Sequence, residues 1–307
     1  MMRQRAEIGF DTPPDAAALP AMVQRLGAAY PALCPSELGR SLLDRPIPML
    51  RIGEGRRHVL YVGGHHGMEW LTGLLLLRFA AELCEGSLRD TYEYGISLRY
   101  LLRIRTFWIV PILNVDGVAI QIGGVGAGGI LGDRLLRMNG GSDDFSHWQA
   151  NARGVDLNHN YDAGFAAYKK MEGEQGILGG CSTRYSGEHP ESEPECAALC
   201  SLIRSLPLSV ILTLHTQGEE IYTGACGGAR PPRLDSIARA AARLSGYTLC
   251  RPEGNAAYGG LTDWATAIMG IPALTLECGR GENPLPITDG MSVYARLRQL
   301  FFMLPVL

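Results

Sequence analysis

Four short runs of the chain are apolar almost throughout rather than alternating: HVLYVGG (58–64), TFWIVPIL (106–113), SVILTL (209–214) and PALTLE (272–277). Runs of this length and composition are how strands buried on both faces read. Between them, apolar positions recur at helical spacing over Trp70 to Glu85, Ser192 to Ser205 with Pro194 in its first turn, Leu234 to Leu244, and Met291 to Leu304. Buried strands alternating with helices predict an α/β protein with a largely parallel sheet. No repeat, linker or shift in composition divides the chain, so one domain spans 1–307, with 1–50 as its N-terminal part. Residues 123–190 are rich in Gly, Asn, Asp and Ser and predict long irregular segments, which inside a compact domain are more often functional than idle.

Ligands of open α/β sheets bind beyond the carboxyl ends of the strands. Here the first run leads into His65, His66 and Glu69, the second into Asn114 and Asp116, the third into His215, and the fourth closes on Glu277. Groups able to bind metal or move protons therefore collect at one edge of the sheet. In GGHHGMEW a histidine and a carboxylate stand three apart at a strand-to-helix junction, a pair that suits zinc. His66 with Glu69 is the preferred pair, although His65 also faces Glu69 at a spacing of four. His215 is the third candidate ligand, leaving a coordination position for water. A carboxylate at the end of an apolar strand is costly to bury unless it is paired or functional. Glu277 is thus either a general base that takes a proton from an attacking water or the partner of an arginine such as Arg280.

With 307 residues, 46% of them hydrophobic and 19% charged, the chain can bury roughly three quarters of its unfolded surface. The net charge of −3 arises from 28 basic and 31 acidic residues without long same-sign runs, which excludes an electrostatic footprint for nucleic acid or an anionic membrane. A peptide or small-molecule substrate is expected. The opening MMRQRAEIGFDTPPD has no apolar run behind its arginines, so a cytoplasmic location is expected. The Leu71–Leu77 stretch is broken by Arg78, too short for a membrane span. Eight cysteines (34, 84, 181, 196, 200, 226, 250 and 278) show no Cys-x-x-Cys pair and read as reduced thiols, with Cys196 and Cys200 as small apolar groups on a buried helix face. GVGAGG (124–129) matches a dinucleotide fingerprint in spacing, but neither follows a strand nor opens a helix with a distal acid.

Segments spread along the chain resemble the zinc carboxypeptidases of the carboxypeptidase A type. They are YPALCPSELGRSLLDRPIPMLRIG at the start, HGMEW, NVDG, GDRLLRMN, GVDLNHNYDAGF, ESEPE, TLH and TLECG, in the family's order and near its spacing. The resemblance implies three α/β/α layers around a mixed, largely parallel sheet of about eight strands. It implies one zinc ion per chain on His66, Glu69 and His215, and Glu277 as the base. It also implies Arg137 as the group stabilising the oxyanion, Asp156 as the carboxylate that orients a metal-bound histidine, and Asn158 as a substrate-binding amide. Thr262, near TDWA, falls in the substrate-binding region.

Two positions depart from the family. The arginine that would pair with a substrate's C-terminal carboxylate is replaced by His159, which argues against a plain carboxypeptidase. The place of the substrate-capping tyrosine is held by Asn255, with Tyr258 nearby as a substitute. HTQGEEIYTG and CGRGENPLP resemble a bacterial branch, the γ-D-glutamyl-diamino acid peptidases, which cut peptidoglycan stem peptides between D-glutamate and diaminopimelate. The resemblance therefore implies a muropeptide substrate, with Glu219 or Glu220 available to pair with its ammonium group. The alternatives are a general metallocarboxypeptidase, a zinc deacylase of N-acyl amino acids of the aspartoacylase or succinylglutamate desuccinylase kind, and a non-catalytic binding protein on a peptidase scaffold.

Overall fold

A computed structural model describes residues 6–224 and 230–307; Cys226 and the arginines at positions 3 and 5 lie outside the described residues. Eight strands form one sheet: β1 (Leu33–Arg40), β2 (Pro46–Ile52), β3 (Arg57–Val62), β4 (Arg105–Val110), β5 (Leu208–His215), β6 (Glu220–Thr223), β7 (Thr248–Cys250) and β8 (Ala273–Glu277). Their order is β1-β2-β4-β3-β5-β8-β6-β7. The central four, β4-β3-β5-β8, run parallel, while the β1-β2, β2-β4 and β8-β6 pairings are antiparallel. The sheet is thus mixed and largely parallel, as the sequence led us to expect. The four apolar runs are its parallel centre, which is why they carry no alternation: both of their faces are covered.

On one face Tyr61 of β3 and Phe107 of β4 meet Phe79 and Phe301, which lie on the Leu71–Arg89 and Gly290–Met303 helices. The Tyr61 hydroxyl is buried and donates to the Phe301 carbonyl at 2.9 Å, satisfying the one polar group of this aromatic cluster. Toward the other face, Thr213 of β5 bonds Thr275 of β8 at 3.0 Å, and Thr275 meets Thr262 of the Leu261–Ala267 helix at 2.6 Å. The Pro194–Ser205 helix buries Cys196, Leu199, Cys200 and Ile203, so the two cysteines are core residues. All seven described cysteines are free thiols.

The irregular stretch holds more helix than its composition suggests. Asn114 caps the Val115–Gly123 helix by accepting from the Gly117 amide at 2.8 Å, and Gly132–Met138 and Phe165–Glu174 are helical. GVGAGG lies in a 3₁₀ segment, Gly124–Leu131, without the strand-turn-helix context of a nucleotide loop. Residues 115–138 are apolar enough in composition to span a membrane, yet they form three short pieces broken at Gly129, where φ is +56°.

Candidate metal centre and substrate cavity

The carboxyl ends of β3, β5 and β8 converge on one site. After β3 the chain turns through His66 into a 3₁₀ turn, Gly67–Glu69. The Thr72 hydroxyl closes this turn, donating to the Glu69 carbonyl at 2.7 Å and accepting from the Gly64 amide at 2.9 Å. Gly67 is required here, because a Cβ would lie 2.5 Å from the Gly117 carbonyl oxygen. His66 Nδ1 consequently sits 2.8 Å from Glu69 Oε1, and His215 Nδ1 sits 3.0 Å from Glu69 Oε2 and 3.4 Å from His66 Nδ1. His65, the competing candidate, turns away. Its Nε2 meets the Tyr161 hydroxyl at 3.0 Å, and its ring stacks on His215 at 5.2 Å.

Two imidazole nitrogens and a carboxylate, all within 4.8 Å of one another, make a donor set of the kind zinc takes. The far side of His66 supports that use: its Nε2 lies 3.1 Å from Asp156 Oδ1, so a proton there leaves Nδ1 as a bare lone pair among the other donors. Asp156 is itself held by the amides of Asn158 (3.2 Å) and Arg184 (3.1 Å). Burial opposes charge on Asp156, but the rings of His66 and His159 hold its carboxyl well below the usual range. Glu69 behaves likewise: burial opposes its charge, while His66 and His215 hold it down at about 2. Two buried carboxylates, one of them converging with two imidazole nitrogens, form an environment suited to a cation.

Beside this cluster is a cavity of about 280 Å³, lined by Asn158 and His159 of the Leu157–His159 turn, Glu220 of β6, Thr262 of the Leu261–Ala267 helix and Glu277 of β8. Glu277 is the register partner of His215 across the parallel β8-β5 pair. Burial, opposed by His215, pushes its carboxyl up to about 7, the range in which a general base works at neutral pH. Arg280 is not its partner; it pairs instead with Glu219 at 2.9 Å. The Asn158 side-chain oxygen Oδ1 accepts from the Leu261 amide at 3.3 Å, which leaves its amino group for donation.

His159 stacks on Tyr168, with ring centroids 3.9 Å apart and planes at 16°. Its Nδ1 donates to the Tyr258 carbonyl at 2.9 Å, which fixes the tautomer and leaves Nε2 a lone-pair acceptor. Burial lowers its proton affinity. Gly259 permits this contact, with φ at +75° and room for no Cβ beside the His159 carbonyl.

Four residues named from the sequence stand apart. Arg137 is exposed in the last turn of Gly132–Met138 and does not line the cavity. Glu219 is held by Arg280 and, at 3.7 Å, Arg296. Tyr258 contributes its carbonyl to His159 but no side chain to the cavity wall, and Asn255 is occupied by reciprocal amide bonds with Gln175 at 3.1 Å. Gln217, Tyr222, Asp263 and Thr275, which the sequence reading passed over, do line it. Tyr222 and Thr275 were legible in principle: they lie two residues from Glu220 and Glu277, and alternate residues of a strand share a face.

HTQGEEIYTG and CGRGENPLP brace each other. Gly218 and Glu219 amides donate to the Gly279 carbonyl, the Cys278 amide donates to the His215 carbonyl at 2.7 Å, and Asn283 clamps Thr216 through both its hydroxyl and its carbonyl.

The zinc carboxypeptidase family matches the chain over residues 19–303. A γ-D-glutamyl-L-diamino acid endopeptidase 1 of Lysinibacillus sphaericus is 32% identical over 91% of this chain and 69% of its own length. Among solved structures, thrombin-activatable fibrinolysis inhibitor superposes with a TM-score of 0.75 at 19% identity, covering 98% of this chain and 76% of that one. Carboxypeptidase A of Helicoverpa armigera gives 0.68 at 20% identity, covering 98% and 77%. With a zinc-competent His-Glu-His cluster at the strand ends and a family match over nearly its whole length, the chain belongs to the zinc carboxypeptidases and is a zinc metallopeptidase.

Proposed function

We propose that this peptidase hydrolyses the amide bond between a γ-linked D-glutamate and a diamino acid such as diaminopimelate in peptidoglycan-derived peptides. One observation carries the reading: no lysine or arginine among the described residues lines the cavity, and the place of a carboxylate-binding arginine is taken by a neutral imidazole locked as an acceptor. A site built to grip a C-terminal carboxylate needs a cation there. The name of the 32%-identical relative supports the bond type.

His66, Glu69 and His215 would hold the zinc, which would supply Lewis acidity for the scissile carbonyl and the attacking water. The Glu277 carboxylate takes a proton from that water and delivers it to the nitrogen of the leaving amine. The Asn158 amino group donates to a substrate carbonyl, and Asp156 keeps the His66 ring in one tautomer. No step is assigned to Arg137, which stands off the cavity wall on the Gly132–Met138 helix.

The test is to incubate the zinc-loaded protein with L-Ala-γ-D-Glu-meso-diaminopimelate, an ordinary C-terminal peptide and an N-acyl amino acid, and to identify products by mass. Cleavage of the γ-D-glutamyl bond is expected. Cleavage of the ordinary peptide alone overturns the substrate, and cleavage of the N-acyl amino acid alone makes the enzyme a deacylase.

A further inference from the structure

Glu219 and Glu220 are adjacent in sequence and opposite in fate. Glu219 is paired with Arg280 and Arg296. Glu220 lines the cavity and has no basic partner among the described residues. The Tyr222 hydroxyl donates to its Oε2 at 2.5 Å, and the Cys250 thiol also hydrogen-bonds its carboxylate. The β6-β8 register sets Glu220 directly opposite Glu277 and Tyr222 opposite Thr275, and all four side chains line the same cavity. Cross-strand partners stand about 5 Å apart at Cβ, and like charges in that position repel. A second carboxylate beside the catalytic one is therefore an unfavourable arrangement, and no lysine or arginine among the described residues lines the wall to offset it.

A diamino acid offers what the pair lacks. One of its nitrogens lies in the scissile amide and the other is a free ammonium, so two neighbouring carboxylates match two nitrogens. As cross-strand partners with Cβ atoms about 5 Å apart, the two stand within the reach of a diamino acid's short alkyl chain. We propose that Glu220, braced by Tyr222, binds the substrate's free amino group and so selects amine-bearing residues on the leaving side of the bond. The inference rests on the peptidase reading above and names the group that reads its diamino acid.

The experiment measures kcat/KM on two substrates that differ only in the amine, γ-D-Glu-L-lysine and γ-D-Glu-L-norleucine peptides, together with the corresponding α-linked pair. The readout is the lysine-to-norleucine ratio. Wild type should favour lysine, and Glu220→Gln should lower the ratio about 10- to 100-fold, the worth of one charge-assisted hydrogen bond. Glu220→Asp should restore part of it, and Tyr222→Phe should lower it by a smaller factor. A ratio unchanged in Glu220→Gln, or one already near unity in wild type, overturns the proposal. A merely structural role would depress both substrates together and leave the ratio alone. If only the α-linked pair is cleaved, the proposed bond is wrong, and the same ratio on that pair still decides the role of Glu220.

Discussion

The two walls of the cavity are built on different principles. On the metal side both carboxylates and the first histidine are held: Glu69 by two histidines, His66 by Asp156, Asp156 by two backbone amides, and the turn between them by Thr72. On the β6-β8 side two carboxylates face each other across a strand pair, Glu220 bonded by the Tyr222 hydroxyl, and no lysine or arginine among the described residues lines the cavity. A metal site must be preorganised, because donors that rearrange on binding lose affinity. A recognition wall keeps its charges unpaired so that the substrate completes them.

The contrast can be broken in order of expected effect. Glu277→Gln removes the proton carrier and leaves the donor cluster in place. Activity should fall about 10²- to 10⁴-fold while zinc content by metal analysis stays at one per chain, and full activity in this variant would sink the mechanism.

Behind the metal wall, Asn151 donates to Glu193 at 2.7 Å and accepts from the Arg153 and Val155 amides, folding the loop that delivers Asp156. Glu195 is buried in the same place, and burial, with Asp116 and Glu193 nearby, pushes its carboxyl up to about 7 from 4.5. The folded state thus holds this proton more tightly than the unfolded chain. Its contribution to stability is full below pH 4.5 and declines as pH rises through about 7, by about 3 kcal/mol in all. Denaturant titrations at the two ends of that window should show the loss, and Glu195→Gln should flatten it.

Asp156→Asn tests the histidine's support. Zinc affinity, measured by chelator competition, should weaken about 10- to 100-fold, and an unchanged affinity would mean that the metal wall does not depend on its second layer of contacts. The smallest effect belongs to Glu219→Gln. Its partner Arg280 is three-quarters exposed, so the pair is worth at most about 1 kcal/mol by thermal or chemical denaturation. The lysine-to-norleucine preference should stay as in wild type, in contrast to Glu220→Gln.

Much of the metal wall was legible in the sequence. HGMEW, TLH and TLECG place donors at strand ends, and the parallel strands were visible as four unbroken apolar runs. Strands at the margins were not. β2 carries Pro46 and Pro48, which weigh against a strand reading. β1 is mostly polar and solvent-facing, and β6 and β7 are only four and three residues long. Arg137 was placed by its surrounding motif, but a motif gives a position along the chain and not the direction in which a side chain points.

The sequence by itself determined the chemistry: the donor types, their spacing and the replacement of an arginine by His159. What only the tertiary structure decided was which side chains share the cavity. His65 and His66, and again Glu219 and Glu220, are adjacent pairs that local pattern cannot separate. The physical reason is that turns, not strand alternation, aim these side chains. The turn after β3 sends His66 to Glu69 and His65 to Tyr161, and Glu219, at φ +55° just before β6, goes to Arg280 while the register of β6 on β8 sets Glu220 opposite Glu277.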